Sequence, residues 1–310
     1  MSFSSSSSPV IFGCSGTTLT PEEKEFFTEH QPLGFILFKR NIKDKIQLKA
    51  LVKELKSTLN TTNPPILIDQ EGGRVARLTS PHWFHPPASA LLAQGNLDDA
   101  KKRVFETYSQ MAEELKEMGI TVNCAPVLDL NIAEADPIMG DRTFSDDPHV
   151  VAELGTIAIK ALQAGGITPV MKHIPGHGAA TCDSHEALPV VSLPYKDLQS
   201  HFAPFKANAH CPWAMTAHIV YTAVDPEHPA TQSSLLIQDV IREEIGFRGF
   251  LISDDLGMKA LTGPFSERAH RSLEAGCDAV LHCSGNRKEM NEVMEGVKPF
   301  SALFRKRMIQ

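Results

Sequence analysis

Residues 34–69 read GFILFKRNIKDKIQLKALVKELKSTLNTTNPPILID, and their pattern decides the architecture. The stretch opens on an apolar run at 34–38 and closes on another at 65–69, each short enough for a buried strand. Between them Leu48, Leu51, Val52, Leu55 and Leu59 recur at three- and four-residue steps, so a helix would carry all of them on one face. Strand, amphipathic helix, strand is the unit that joins parallel neighbours by a crossover.

The same alternation extends to both ends of the chain. Strand candidates lie at 9–14, 34–38, 65–69, 121–130, 167–173, 213–218, 249–254 and 279–283, about the eight that a closed barrel needs. A second apolar stripe, Val104, Tyr108, Met111, Leu115 and Met118, ends at Gly119, a residue that readily stops a helix. Asp147-Pro148 supplies a cap and a first-turn proline, and Gly165-Gly166 closes that helix. Ser233 is expected to cap a segment over 235–245 that stops at Gly246. The expected fold is α/β: a single (β/α)8 barrel of the TIM type, residues 1–310 forming one domain, with the active site at the C-terminal ends of the strands. The longer connections 71–100, 131–147 and 174–194 are rich in Gly, Pro, His, Asp and Ser, and each follows such a strand end.

Composition narrows the possible partners. The 310 residues are 42% hydrophobic and 22% charged, the balance of an ordinary soluble globular chain. Thirty Lys+Arg against 37 Asp+Glu give a formal charge of −7, with no basic run to follow a phosphate backbone, so nucleic acid is not an expected partner. No apolar stretch approaches the roughly 20 residues of a membrane span, and no membrane partner is expected. The opening MSFSSSSSPVIFGCSG lacks the basic start and long apolar core of a secretory signal, so the expected location is cytoplasmic. Cysteines at 14, 124, 182, 211, 277 and 283 are scattered, which suits free thiols rather than zinc or disulfide spacing. Cys182 has no motif around it that would make it a nucleophile. The sequence does not fix the oligomeric state, and a monomer is the favoured expectation.

The chemistry concentrates in three places. In MKHIPGHGAATCDSH (171–185) a strand ends at Lys172-His173 and runs into a loop ending Asp183-Ser184-His185. One histidine alone is usually a structural residue, but His173, His177 and His185 with Lys172 and Asp183 at a barrel mouth point to chemistry. Asp183 and His185 are one residue apart, so the carboxylate can orient the imidazole and stabilise its protonated form, which is acid/base machinery. In FLISDDL (250–256) a strand stops at Asp254 and Asp255, where a carboxylate is held rigidly as a covalent nucleophile requires. Strand alternation lets only one of the pair face the cavity, and the bland alternative is a pair of solvated acids capping the next helix. In LIDQEGGRVAR (67–77) a strand meets an acid, a glycine turn and two arginines. Asp69 can accept hydrogen bonds from adjacent sugar hydroxyls while an arginine donates to hydroxyl or carbonyl oxygen, although such turns are also common surface features. Arg142 in GDRTF (140–144) reads by itself as structural, and no chemistry is assigned to 215–218 or 275–278.

Together KHIPGHG (172–178) followed by DSH (183–185), with IDQEGGRVARL (68–78), APVLD (125–129), GDRTF, MTAHIVY (215–221) and ISDDLGM (252–258), resemble the family 3 glycoside hydrolases. The resemblance is specifically to the bacterial β-N-acetylglucosaminidase branch that acts in peptidoglycan recycling, and it runs from residue 34 to residue 281. It implies a retaining release of terminal β-linked N-acetylglucosamine from peptidoglycan (muropeptide) fragments, with no cofactor and no metal. Asp254 would be the nucleophile, His185 the acid and then the base, and Asp183 its partner. Asp69, Arg77, Arg142, Lys172 and His173 match positions that hold the sugar, and Asp255 is left as a neighbour. A histidine where glycosidases usually place a second carboxylate leaves room for an anionic acceptor, so a phosphorylase on the same scaffold is the alternative. Related β-glucosidases recruit the acid/base from a second domain. Here about 25 residues follow the last strand, room for one helix, so the loop ending in His185 is expected to supply the proton and to close on the sugar. The aglycone, muropeptide or chitin-like, is not fixed.

Two rivals remain. In a metal-dependent barrel hydrolase His173, His177, His185 and Asp254 would bind an ion, but the close His-x-His pair at a strand end is absent. A non-catalytic barrel could bind sugar through Asp69, Arg77 and Lys172, yet it would have no use for both a nucleophile and a histidine–aspartate dyad.

Overall fold

The computed structural model describes residues 7–132, 139–180 and 187–298. Eight parallel strands close into a barrel: β1 (Ser8–Gly13), β2 (Pro32–Leu37), β3 (Ile66–Ile68), β4 (Val122–Asn123), β5 (Thr168–Ile174), β6 (Trp213–Thr216), β7 (Phe250–Asp255) and β8 (Ala279–His282). Each pairs with its neighbours in sequence, and β8 closes on β1 through Val10↔Val280 and Phe12↔His282. A helix follows every strand: α1 (Pro21–His30), α2 (Lys45–Ser57), α3 (Leu97–Glu117), α4 (Pro148–Ala164), α5 (Tyr195–Ala207), the π-type α6 (Leu236–Glu244), α7 (Phe265–Ala275) and α8 (Arg287–Gly296). The expected (β/α)8 barrel is the fold.

Local chemistry sets where the helices begin. Thr20 and Glu23 exchange side-chain and backbone bonds in a capping box ahead of α1, and the Asp44 carboxylate accepts the Gln47 N–H at the start of α2. Asp147 caps α4 with Pro148 as its first residue, and the Ser233 hydroxyl accepts the Leu236 N–H at 3.1 Å, so both expected caps are present.

Period-two alternation sorts the strand residues into layers. Ile11, Ile36, Leu67, Val170, Ile252 and Leu281 fill the barrel interior, while Phe12, Phe35, Ile68, Met171, Leu251 and Val280 face the helices. The stripe read on α2 buries Leu48, Leu51, Val52 and Leu55 in that outer layer, each worth roughly 2 kcal/mol by area removed from water.

One strand is shorter than the sequence suggests. The run at 121–130 pairs regularly only over Val122–Asn123, because Pro126 has no N–H to give a ladder. The chain rejoins β5 by a bridge at Val127↔Lys172, and this detour carries Asp129 to the barrel mouth. Cys14, Cys124, Cys211, Cys277 and Cys283 are buried free thiols, and Cys182 lies outside the described residues. Among the described residues no helix is long and apolar enough to cross a membrane.

Candidate active site

At the C-terminal ends of the strands lies a cavity of about 210 Å³ whose polar wall includes Asp69, Glu71, Arg77, Lys172, His173 and Asp254. Its first wall comes from the segment after β3. Gly72 and Gly73 take φ of +113° and +55°, which L side chains rarely adopt, and a Cβ at Gly72 would overlap the Pro87 carbonyl. The Glu71 and Gly72 N–H groups both donate to the Val75 carbonyl, so the chain doubles back here. The Gln70 side-chain oxygen accepts the Arg77 and Leu78 N–H groups, and this brings the Arg77 guanidinium back to Asp69 at 3.1 Å.

The result is an alternating chain of charge. The Lys172 ammonium, at the end of β5, sits 2.8 Å from Asp69 and 2.7 Å from Glu71, and Arg142 grips Glu71 through Nε at 2.8 Å and Nη2 at 2.9 Å. Burial would push both carboxyls up, but Lys172 with Arg77 holds Asp69 below its ordinary range, and Arg142 with Lys172 holds Glu71 far below its own. Burial likewise disfavours the Lys172 ammonium, and Asp69 and Glu71 outweigh it and raise its pKa. These shifts keep Asp69, Glu71 and Lys172 ionised at neutral pH.

The second wall is built on Asp129. The ladder slips between Lys172 and Ile174, where the Lys172–His173 peptide is cis, and adjacent Lys and His side chains both line the cavity. The His173 Nδ1–H donates to Asp129 Oδ2 at 2.7 Å, which turns Nε2 toward Asp254 Oδ2, 4.0 Å away. Asp129 also accepts the His173 and His177 N–H groups. Burial, with His173 beside it, pushes His177 down to about 4, so that ring is neutral near pH 7.

The third wall is the end of β7. Asp254 Oδ1 accepts the Asp255 N–H at 2.8 Å, while Oδ2 lies 4.0 Å from His173 Nε2, and both residues line the cavity. Burial opposes ionisation of Asp254, but His173, His218, the Asp255 N–H and Lys172 prevail and hold its carboxyl below the usual range. An ionised carboxylate with one oxygen fixed and the other open has the geometry of a nucleophile.

Of the residues expected to act, the structure brings Asp69, Arg77, Arg142, Lys172, His173 and Asp254 to this one cavity. Asp183 and His185 lie outside the described residues. The expectation that only one carboxylate of the 254–255 pair faces the cavity is corrected. The β7–β8 ladder is irregular between Ile252 and Asp255, and Asp255 also reaches the wall, although its Oδ1 is held by the Gly257 and Cys283 N–H groups. Arg142 directs its Nε and Nη2 at Glu71. Sequence reasoning assigned no role to Glu71, Asp129 or His218. Glu71 and Asp129 stood inside quoted motifs, but their partners come from other strands and leave no local signal. Among the described residues no three His, Cys, Asp or Glu side chains are grouped to hold a metal ion.

Known proteins resemble this chain in sequence and in fold. The family described as glycosyl hydrolase family 3 N terminal domain matches residues 13–305. A β-hexosaminidase of Nitrosomonas eutropha is 38% identical over 285 residues, covering 89% of this chain and 80% of its own length. NagZ from Neisseria gonorrhoeae, solved in complex with N-trifluoroacetyl-D-glucosamine, superposes with a TM-score of 0.88 at 34% identity, covering 97% of this chain and 89% of that one. A family 3 β-N-acetylglucosaminidase from Paenibacillus sp. str. FPU-7 gives a TM-score of 0.87 at 32% identity, and this chain spans 59% of its length.

Proposed function

The chain belongs to glycosyl hydrolase family 3, and from that premise we propose that it is a retaining exo-β-N-acetylglucosaminidase acting through a covalent glycosyl-aspartate. The observation that carries this reading is the ionised Asp254 carboxylate on the cavity wall beside the charged chain, with Oδ1 held by the Asp255 N–H and Oδ2 4.0 Å from His173 Nε2.

In this reading Asp254 Oδ2 attacks the anomeric carbon through an oxocarbenium-like state. His185, oriented by Asp183, protonates the leaving oxygen and then takes a proton from the water that releases the sugar. Support for that dyad comes from the DSH spacing and the family resemblance. Asp69, Arg77, Arg142, Lys172 and His173 hold the sugar, Asp69 and His173 through hydroxyls and the cations through hydroxyl or carbonyl oxygens. The substrate is assigned as a peptidoglycan (muropeptide) fragment met in the cytoplasm. The whole chain acts as one catalytic domain and as a monomer.

The test is to incubate the protein with 4-nitrophenyl N-acetyl-β-D-glucosaminide and follow the first-formed product by NMR, with and without inorganic phosphate and a chelator. The expected product is free N-acetylglucosamine, first as the β-anomer, at a rate indifferent to both additions. An α-anomer formed first would exclude retention, a sugar 1-phosphate would assign phosphorolysis, and loss of turnover with chelator would revive the metal-dependent reading.

A further inference from the structure

Behind the site just described lies His218, a buried titratable group that has been given no task. His218 follows β6, is 1% exposed, and has both ring nitrogens engaged. Its Nε2 lies 3.0 Å from the Asp255 carbonyl oxygen and its Nδ1 2.7 Å from the Thr231 hydroxyl. Thr231 in turn lies 2.8 Å from the Thr216 hydroxyl, and both threonines are fully buried.

Counting protons orders this chain. A carbonyl oxygen only accepts, so Nε2 carries a hydrogen. Burial lowers the His218 pKa against the pull of Asp254 and Asp255, which favours the uncharged ring, and in that ring Nδ1 accepts. The single Thr231 hydroxyl proton therefore goes to Nδ1, its shorter contact, rather than to the Ala217 carbonyl at 3.1 Å. Thr216 then donates to Thr231. The direction runs from Thr216 through Thr231 and His218 to the Asp255 carbonyl.

Asp255 is the residue that aims Asp254. Its N–H donates to Asp254 Oδ1, its Oδ1 accepts the Gly257 and Cys283 N–H groups, and its carbonyl accepts both the His218 Nε2–H at 3.0 Å and the Met258 N–H at 3.1 Å. Of these donors to Asp255 only His218 uses its side chain, and its tautomer is set by a further relay. We propose that His218, fixed as the Nε2–H tautomer by Thr231 and Thr216, is a positioning residue that holds the Asp255 backbone and through it presents Asp254 Oδ2 to the anomeric carbon. The proposal rests on the reading of Asp254 as nucleophile. It makes Asp255 the frame of the reaction and gives MTAH at 215–218 a purpose.

The experiment compares the parent with His218→Ala, His218→Gln and Asp254→Gly on 2,4-dinitrophenyl N-acetyl-β-D-glucosaminide, whose leaving group needs no acid. His218→Ala is expected to slow formation of the glycosyl-enzyme about ten- to a hundredfold, the cost of a misplaced reacting atom. Inhibition by free N-acetylglucosamine should keep its parental constant, because the sugar-holding network is untouched. His218→Gln, whose amide can donate to the Asp255 carbonyl, should recover part of the rate. A parental rate in His218→Ala, or a loss of sugar affinity equal to the loss of rate, overturns the proposal. Should His218→Ala fail to fold, Thr231→Val carries the test. It should slow the same step and move the His218 ring-nitrogen resonances away from the neutral Nε2–H pattern, and parental values of both would overturn the proposal. Asp254→Gly separates the two readings. If it is inactive while His218→Ala is parental, only the positioning role falls. If it turns over normally, the nucleophile assignment fails and the positioning role falls with it.

Discussion

Glu71 shows how much of this site depends on a residue that need not touch the sugar. Its carboxylate is 2% exposed and holds two cations, Lys172 and Arg142, that would otherwise repel each other and lose their place. Removing one partner of such a buried pair typically costs about 3–5 kcal/mol, so Glu71→Gln is expected to lose about 3 kcal/mol at neutral pH and to raise KM. The pH dependence follows from the sign of the shift. The folded pKa of Glu71 is depressed well below the ordinary 4.5, so the unfolded chain takes up this proton first. The stability it contributes is whole above that ordinary value and is lost as pH falls through the folded one. The gap between parent and variant should therefore narrow in acid, as read from urea midpoints at pH 7 and below pH 4.5. A gap that stays constant would remove Glu71 from the ionised network.

At the scale of elements, what could be read from the sequence was what is local. Stripes such as Leu48, Leu51, Val52 and Leu55 repeat within one helix, and caps such as Asp147 and Ser233 act within three residues, so both were visible in advance. Not visible were the features made by two elements together: the early end of β4, the slip at Lys172 and the irregular ladder that turns Asp255 inward. The connection after β5 belongs to this second kind. On one side the Tyr221 hydroxyl donates to the Gly176 carbonyl at 2.7 Å, and on the other Val191 pairs with Tyr221 in a short parallel ladder. One residue after β6 thus ties both flanks of the segment assigned the proton donor. Tyr221→Phe leaves a buried carbonyl without its partner, at a cost of about 1–3 kcal/mol. It should also lower kcat/KM more for a phenyl than for a 2,4-dinitrophenyl N-acetyl-β-glucosaminide, since only the poorer leaving group needs the acid. An equal loss on both would detach Tyr221 from proton donation.

For the whole molecule, closure of the barrel makes the site. Asp69 just after β3, Lys172 and His173 from β5 and Asp254 from β7 are far apart along the chain, and only their common position at the strand ends brings them to one cavity. The sequence identified these side chains by type and motif, because a strand ending in a charged residue is visible in a line of letters. It could not reveal that Glu71 binds them together or that Asp129 turns His173, because those contacts exist only once the sheet is closed. At Asp254 itself the contact is local: the N–H of the next residue, Asp255, holds Oδ1 and leaves Oδ2 for chemistry. The most direct measurement is to trap the intermediate with a slowly released 5-fluoro analogue of N-acetyl-β-glucosaminyl fluoride and to map the label by peptide mass spectrometry. The account predicts one sugar per chain, esterified to Asp254 and absent from Asp254→Ala. A label on Asp255 or on any other side chain, or turnover of the analogue through no covalent species, would contradict it.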